Sequence, residues 1–327
     1  MFAFTLEKPT STEAFKEGLL WDLIIIGGGP AGLNAALYAK RKGLSVGILS
    51  KDLGGQLHNT SFVDNYLGFT MIEGKNLSDA FINHVTALEV PIYKDVDVMA
   101  IEPKNPNFEI HLANGQKILA KTVLLATGGS PKKLDIPGEK IYSNRGVSYC
   151  TTCDAPFFKD KHVVVAGGGN SAAEAVLDLS AWAKKITVVH RSQWRADAIL
   201  LEKLAAIPHL DVRLETRILE VIGDDKMTGL MTYNNQTKHQ EMIEADGLFV
   251  EIGTTPKSHL FQHLVRLNDR YEVMVDPNQM TSYPGLFAAG DVTDQPYKQI
   301  IISAAEGAKA ALSISHYLNH TYKGALS

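Results

Sequence analysis

The sequence predicts an α/β fold of two three-layer units, the second inserted into the first, and three observations carry that expectation. A strand, a glycine-rich turn and a helix occur in the same order twice. Each copy is followed by a short antiparallel stretch. Two Gly/Pro-rich segments then divide the middle of the chain from its two ends.

In the first copy, Asp22 opens onto Leu23-Ile24-Ile25-Ile26, the uninterrupted apolar run of a strand covered on both faces. It leads into Gly27-Gly28-Gly29-Pro30-Ala31-Gly32, a helical stretch over 33–41 that stops at Gly43, and a second strand over 45–49. The second copy runs Val163-Val164-Val165-Ala166, then Gly167-Gly168-Gly169-Asn170-Ser171-Ala172, then a helix reaching Ala183 and a strand over 186–189. Each is a Rossmann-type βαβ unit.

Residues 108–112 and 117–119 alternate around Asn114-Gly115, a dipeptide that supplies the positive φ angles of a tight hairpin turn. A matching pair, 230–233 and 241–243, follows the second turn. The strand over 122–126 ends at Thr127-Gly128-Gly129-Ser130-Pro131, and the strand over 247–252 ends at Gly253-Thr254-Thr255-Pro256. If the chain crosses at both, residues 1–131 with 260–327 form the outer domain and 132–259 the inner one.

A chain of 327 residues that is 45% hydrophobic can fill two cores. A net charge of −4, from 32 basic and 36 acidic residues without blocks of one sign, argues against a nucleic-acid or membrane surface. Residues 1–20 lack the basic start and apolar core of a secretion signal, and no apolar run approaches the roughly 18 residues of a membrane span. A cytoplasmic protein is expected, with small molecules or other proteins as partners.

The only two cysteines stand three apart, in Cys150-Thr151-Thr152-Cys153-Asp154. Two cysteines are too few for a secreted disulfide scaffold, and no second pair or spaced histidines would complete a zinc site, so no metal is expected. A Cys-x-x-Cys pair closes a small ring and holds one thiol at a lowered pKa, which suits cycling between disulfide and dithiol. None of the 11 histidines is given a catalytic role.

Gly27, Gly29 and Gly32 are spaced for a tight turn, a close backbone approach to a diphosphate, and close packing of helix on strand, with the diphosphate at the positive end of the helix. The acid that usually reads a ribose is not obvious, since Ser50 and Lys51 stand at the strand end, and the nearby Asp52 reads either as that acid or as a surface residue. The second turn is Gly167-x-Gly169-x-x-Ala172, and its strand ends in His190-Arg191. A basic residue there suits a 2′-phosphate, and equally a solvated strand end.

Together these residues resemble the low-molecular-weight thioredoxin reductases over nearly the whole chain after residue 20. The motifs that carry the resemblance are Gly27 to Gly32, Gly54-Gly55-Gln56-Leu57, Ala126-Thr127-Gly128, Ile136-Pro137-Gly138-Glu139, Cys150 to Asp154, Gly167 to Ala172, and Pro284-Gly285-Leu286-Phe287-Ala288-Ala289-Gly290-Asp291. The resemblance implies FAD at a first site comprising Gly27, Gly29, Pro30, Ala31, Gly32, Gly55, Gln56, Leu57, Asn65, Thr127, Gly128, Gly290, Asp291, Lys298, Gln299 and Ile300. Gln299-Ile300 would open a helix over 299–318 whose N-terminus favours charge on the flavin. It implies a pyridine nucleotide at Gly167, Gly169, Ala172, Arg191 and Arg195, and a homodimer. It further implies that Cys153 is the thiol nearest the flavin, that Cys150 attacks thioredoxin or a thioredoxin-like protein, and that Asp154 is the acid. Asp154 also has an ordinary reading as a helix cap before Ala155-Pro156.

One departure bears on the electron donor. The family's phosphate-reading pattern is His-Arg-Arg with a further arginine three residues on, whereas this chain has His190-Arg191-Ser192-Gln193-Trp194-Arg195. Arginine clamps on phosphate depend on direction, so Ser192 and the added bulk of Trp194 leave NADPH, NADH and reduced ferredoxin all open as donors. Two further readings stay beside the reductase: an electron-transfer flavoprotein with another target, and a non-enzymatic redox sensor, against which Asp154 and Gly290-Asp291 argue. Tyr317 and Tyr322 would either cover the flavin or pack in the core. A disulfide that must meet first a flavin and then a protein also predicts rotation about Gly128-Gly129 and Gly253-Thr254.

Overall fold

In the computed structural model the side chains of Leu23 and Ile25 enter one apolar cluster and those of Ile24 and Ile26 another, because successive residues of a strand point to opposite faces of the sheet. This accounts for the unbroken apolar run in the sequence: the strand Leu20–Gly28 is covered on both sides. The structure describes residues 14–16, 18–60 and 62–322, so most of the stretch read as lacking a secretion signal lies outside the described residues.

The chain divides into two units, one of residues up to Ser130 and from Thr255, the other Pro131–Thr254. The second crossing therefore lies inside the Gly253–Pro256 stretch, before the expected 259/260. At the crossings, Lys257 N donates to Gly128 O at 2.9 Å in the first unit, and Lys132 N to Gly253 O at 2.9 Å in the second.

In the first unit, Leu20–Gly28 pairs in parallel with Val46–Leu53 on one side and Lys117–Leu125 on the other, and Ile92–Lys94 lies beyond Val46–Leu53. The hairpin and the strand expected as separate elements at 117–119 and 122–126 are one continuous strand. Its far edge is shared: residues 117–120 pair antiparallel with Asn107–Leu112, and residues 123–125 pair in parallel with Leu286–Ala288. Val98–Lys104 completes the hairpin. The first helix, Pro30–Arg41, and the last, Ile300–His320, cover the Leu23/Ile25 face through Ala35, Ala36, Ala39, Ala310, Ala311 and Ile314. They cross at backbone contact, since a Cβ on Gly307 would lie 2.0 Å from Ala31 O.

In the second unit a parallel sheet runs Val147–Ser148, Gly247–Val250, His162–Ala166, Lys185–Val189, Leu210–Arg213. Val163 and Val165 face the helix Asn170–Ser180, which ends before Ala183. Val164 and Ala166 face Thr216–Gly223 and Met227–Asn234. With Gln240–Glu244 these make a three-stranded antiparallel sheet, one strand more than expected. Among the described residues no helix is long and apolar enough to cross a membrane.

Candidate functional site

The first glycine turn is shaped by its neighbours. Gly27 has φ +116, and a Cβ there would lie 2.2 Å from Ala126 O, so any other residue would be both strained and blocked. Gly32 is equally closed, 2.0 Å from Gly27 O, which lets the helix sit directly on its strand. Gly29 is open: a Cβ would meet nothing nearer than Gly55 Cα at 4.0 Å. Pro30 is the first helical residue, and Leu33 N donates to Gly29 O at 2.9 Å. The helix thus starts with Ala31 and Gly32 inside the core and its positive end beside the open side of Gly29.

Around that opening the fold gathers side chains that are distant in sequence. Gln56, on the short 3₁₀ turn Gly55–Asn59, donates from Nε2 to Asp291 Oδ2 at 3.0 Å, and Ser303 Oγ donates to Asp291 Oδ1 at 3.1 Å. Burial pushes the Asp291 carboxyl above its ordinary pKa, and the Ser303 hydrogen bond partly offsets this. Gly290 N donates to Glu306 Oε2 at 2.7 Å. Asn65 Nδ2 donates to Gln299 Oε1 at 3.2 Å at the cap of the last helix. Ile300 packs on the cluster of Leu57, Val63 and Leu77. Lys298 Nζ is turned inward, donating to the carbonyls of Gln295 at 2.7 Å and Thr293. Thr127 Oγ1 donates to Lys257 O at 2.7 Å, and Gly128, with φ +69, faces open space. Ser50 Oγ accepts from Gly28 N at 2.8 Å and donates to Asp52 O, while Lys51 pairs with Asp97 at 3.0 Å. At that strand end Ser50 is thus tied to the backbone and Lys51 to Asp97, while Asp52 is exposed. The open glycine, the helix start and the half-buried Asp291 fit an extended dinucleotide such as FAD.

Cys150 and Cys153 are joined as a disulfide with S–S 2.11 Å. Cys150 precedes the one-turn helix Thr151–Asp154, and its carbonyl accepts from Cys153 N at 3.2 Å and Asp154 N at 3.1 Å. Ser148 is the residue that sequence reading missed. It is buried, accepts from Cys150 N at 3.1 Å, and donates from Oγ to Asp154 Oδ2 at 2.6 Å. Asp154 makes no side-chain cap, contrary to its ordinary reading. Burial pushes its carboxyl upward in pKa, with the Ser148 hydrogen bond opposing. The arrangement is a disulfide with a carboxyl group, hydrogen-bonded by Ser148, on the same turn.

The second glycine turn begins like the first. Gly167 has φ +155, and a Cβ would lie 2.3 Å from Glu251 O; Gly169 has nothing within 4 Å. Ala172 is buried against Gly167, close enough that glycine is required at the latter. The His190 ring fills the space beside Gly168, where a Cβ would come within 2.2 Å. His190 is buried and shares a 3.1 Å contact between Nε2 and Ser192 Oγ. Burial first, then Arg195 and Arg191, hold it below its ordinary pKa. Arg191 and Arg195 are exposed, and neither makes an ion pair among the described residues. Trp194 packs on the core of its unit, so it does not add the expected bulk to the exposed strand end.

Away from these sites, Glu102, Glu109 and His111 offer ligand atoms within 4.8 Å of one another on the hairpin, a grouping that sequence spacing did not suggest. Lys104 and Lys117 already pair with its carboxylates, at 3.2 and 3.0 Å. Tyr317 packs edge-on against Phe287, and Tyr322 OH donates to Asn107 Oδ1, which engages both rings in the packing of their unit.

The model of the family described as pyridine nucleotide-disulphide oxidoreductase matches residues 21–308. Thioredoxin reductase from Streptococcus pyogenes superposes with a TM-score of 0.87 at 35% identity, covering 92% of this chain and 98% of that one. Thioredoxin reductase from Giardia duodenalis also gives 0.87, at 31% identity and 92% and 99% coverage. A subunit of the alkyl hydroperoxide reductase of Staphylococcus epidermidis is 40% identical over 299 residues, 91% of this chain but 59% of that protein. The chain thus spans about three fifths of the length of the curated relatives it matches. It belongs to the pyridine nucleotide-disulphide oxidoreductases, an FAD-binding family, and has the fold of the thioredoxin reductases.

Proposed function

We propose that this chain is a disulfide reductase that accepts electrons from NADPH and delivers them, through the Cys150–Cys153 pair, to a disulfide on thioredoxin or a thioredoxin-like protein. The observation that carries the reading is the Cys150–Cys153 disulfide with Ser148 and Asp154 bonded to the same turn. Bound FAD would accept the donor's two electrons and pass them to the disulfide. Gly27 to Gly32, with Gly55, Gln56, Leu57 and Asn65, would hold it from one side, and Thr127, Gly128, Gly290, Asp291, Lys298, Gln299 and Ile300 from the other.

In the reduced pair Cys150, as thiolate, attacks one sulfur of the partner's disulfide, forming a mixed disulfide and expelling the partner's other sulfur. Cys153 then attacks Cys150, re-forming the internal disulfide and releasing the partner as a dithiol. Asp154 supplies a proton to a departing thiolate, and Ser148 keeps its carboxyl beside the turn. NADPH is favoured as donor because Arg191 and Arg195 are exposed and without ion pairs among the described residues at the end of the strand leading from the second turn. The Gly167, Gly169 and Ala172 turn would hold its diphosphate. Homodimer assembly and rotation about Gly128-Gly129 and Gly253-Thr254 belong to the same proposal by family resemblance.

The curated relatives support a second reading, in which the partner disulfide belongs to a peroxide-reducing system instead of to thioredoxin. One experiment covers donor and acceptor. The purified protein is titrated anaerobically with NADPH, NADH and reduced ferredoxin while flavin bleaching is followed, and the bleached enzyme is then offered oxidised thioredoxin. Rapid bleaching by NADPH followed by thioredoxin reduction is expected. Bleaching by ferredoxin alone would overturn the donor, and an inert thioredoxin would favour the second reading.

A further inference from the structure

Glu251 directly follows the strand Gly247–Val250, which lies between the strand that leads to the disulfide and the strand that leads to the second glycine turn. Its backbone belongs to the nucleotide side: Glu251 N donates to Ala166 O at 2.8 Å, and its carbonyl occupies the space that a Gly167 side chain would need. Its side chain belongs to the sulfur side. Oε1 accepts from Thr151 Oγ1 at 2.7 Å, and Thr151 is the buried residue that follows Cys150, the cap, and begins the one-turn helix that carries Cys153.

We propose that Glu251 is a positioning residue of the redox pair, acting through Thr151 to fix both sulfurs relative to the second glycine turn and setting how readily the reduced pair forms a thiolate. The inference rests on the reading of Cys150–Cys153 as a redox pair. Thr151 is held by a group anchored outside its own turn, so opening the disulfide leaves the start of the helix in place. The charge of the anchor matters as well. The groups acting on Glu251 besides Thr151 are Glu174 and Asp178, both acidic and both on the helix Asn170–Ser180; from the strand Val147–Ser148 comes no charge, and Asp154 is the acid on the sulfur side. Burial, with those two acids, pushes the Glu251 carboxyl upward in pKa. As pH rises and Glu251 loses its proton, a negative charge arises near the pair and opposes the thiolate.

The test uses the purified protein reduced with dithiothreitol, freed of reductant, and alkylated with iodoacetamide across a pH series, which reads the thiolate without need of any donor. Glu251→Gln keeps an acceptor for Thr151 and removes the charge, and it is expected to move thiolate formation to lower pH by about half a unit to one unit, roughly three- to tenfold more thiolate at a given pH below the midpoint. Thr151→Val breaks the link and keeps the charge; it is expected to change the alkylation rate while preserving the pH shape set by Glu251. A Glu251→Gln profile that coincides with wild type overturns the inference, as does a Thr151→Val profile identical to wild type should the glutamine variant fail to fold. If dithiothreitol does not reversibly open Cys150–Cys153 in the wild type, it is the disulfide-reductase reading that fails, an outcome distinct from unchanged variants.

Discussion

The two glycine turns of this chain share a backbone and differ at their edges. In both, the first glycine has positive φ and a carbonyl pressed where a side chain would begin, Ala126 O in one and Glu251 O in the other. In both, the third residue of the motif stands open. The second is closed from the end of the next strand, by Leu53, Asp52 and Ser50 in one unit and by the His190 ring in the other. Beyond that point they part. After Ser50, Lys51 is committed to Asp97, whereas after His190, Arg191 makes no ion pair among the described residues. Steric demands of a tight turn make the backbone repeat, and under the proposed function the available charge at the strand end would separate two ligands of similar shape.

The largest expected effect breaks the shared part. Gly27→Ala places a methyl group against Ala126 O at an unfavourable φ and is expected to cost about 3 kcal/mol or more, read as a fall in thermal stability and in flavin content. Next is the contrast between two half-buried acids. Asp291 receives hydrogen bonds from Gln56 and Ser303, whereas Asp154 receives one, from Ser148, as fits a group that must exchange a proton. Asp154→Asn is expected to lower thioredoxin reduction by about a hundredfold while leaving flavin bleaching intact.

The pH dependence has a definite sign. Because burial raises the Asp154 pKa in the folded protein, its acid form is lost as pH rises through that raised value, so wild-type turnover declines on the alkaline side and the asparagine variant lacks this limb. Its contribution to stability is likewise present in full below the unfolded value of about 3.9 and lost as pH rises through the folded one. A smaller effect tests the strand end: Ser192→Arg is expected to tighten NADPH binding by roughly three- to tenfold and NADH binding hardly at all, measured by titration. Smallest is Gly169→Ala. With open space around it, stability should stay within about 0.5 kcal/mol of wild type, checked by thermal unfolding.

Much of this molecule is legible in its sequence because the relevant constraints are local. The apolar run before each turn, the glycine spacing, the Asn-Gly hairpin and the Cys-x-x-Cys pair are each set by backbone sterics or by reach along a few residues. Sequence and structure part where one element serves two neighbours. Lys117–Leu125 reads as two strands because its first half pairs with a hairpin and its second with Leu286–Ala288, and no pattern within nine residues signals a shared edge. Trp194 reads as surface bulk because its packing partners lie elsewhere in the chain.

By itself, then, the sequence determined the two turns, their helices and the disulfide loop, all of which follow from short-range covalent and steric rules. Only the tertiary structure decided which polar groups meet. Gln56 reaches Asp291, Asn65 reaches Gln299, and Glu251 reaches Thr151 across a hundred residues or more. Such pairings follow from strand order and helix packing, since a buried polar group takes whichever partner the assembled core brings within hydrogen-bonding distance.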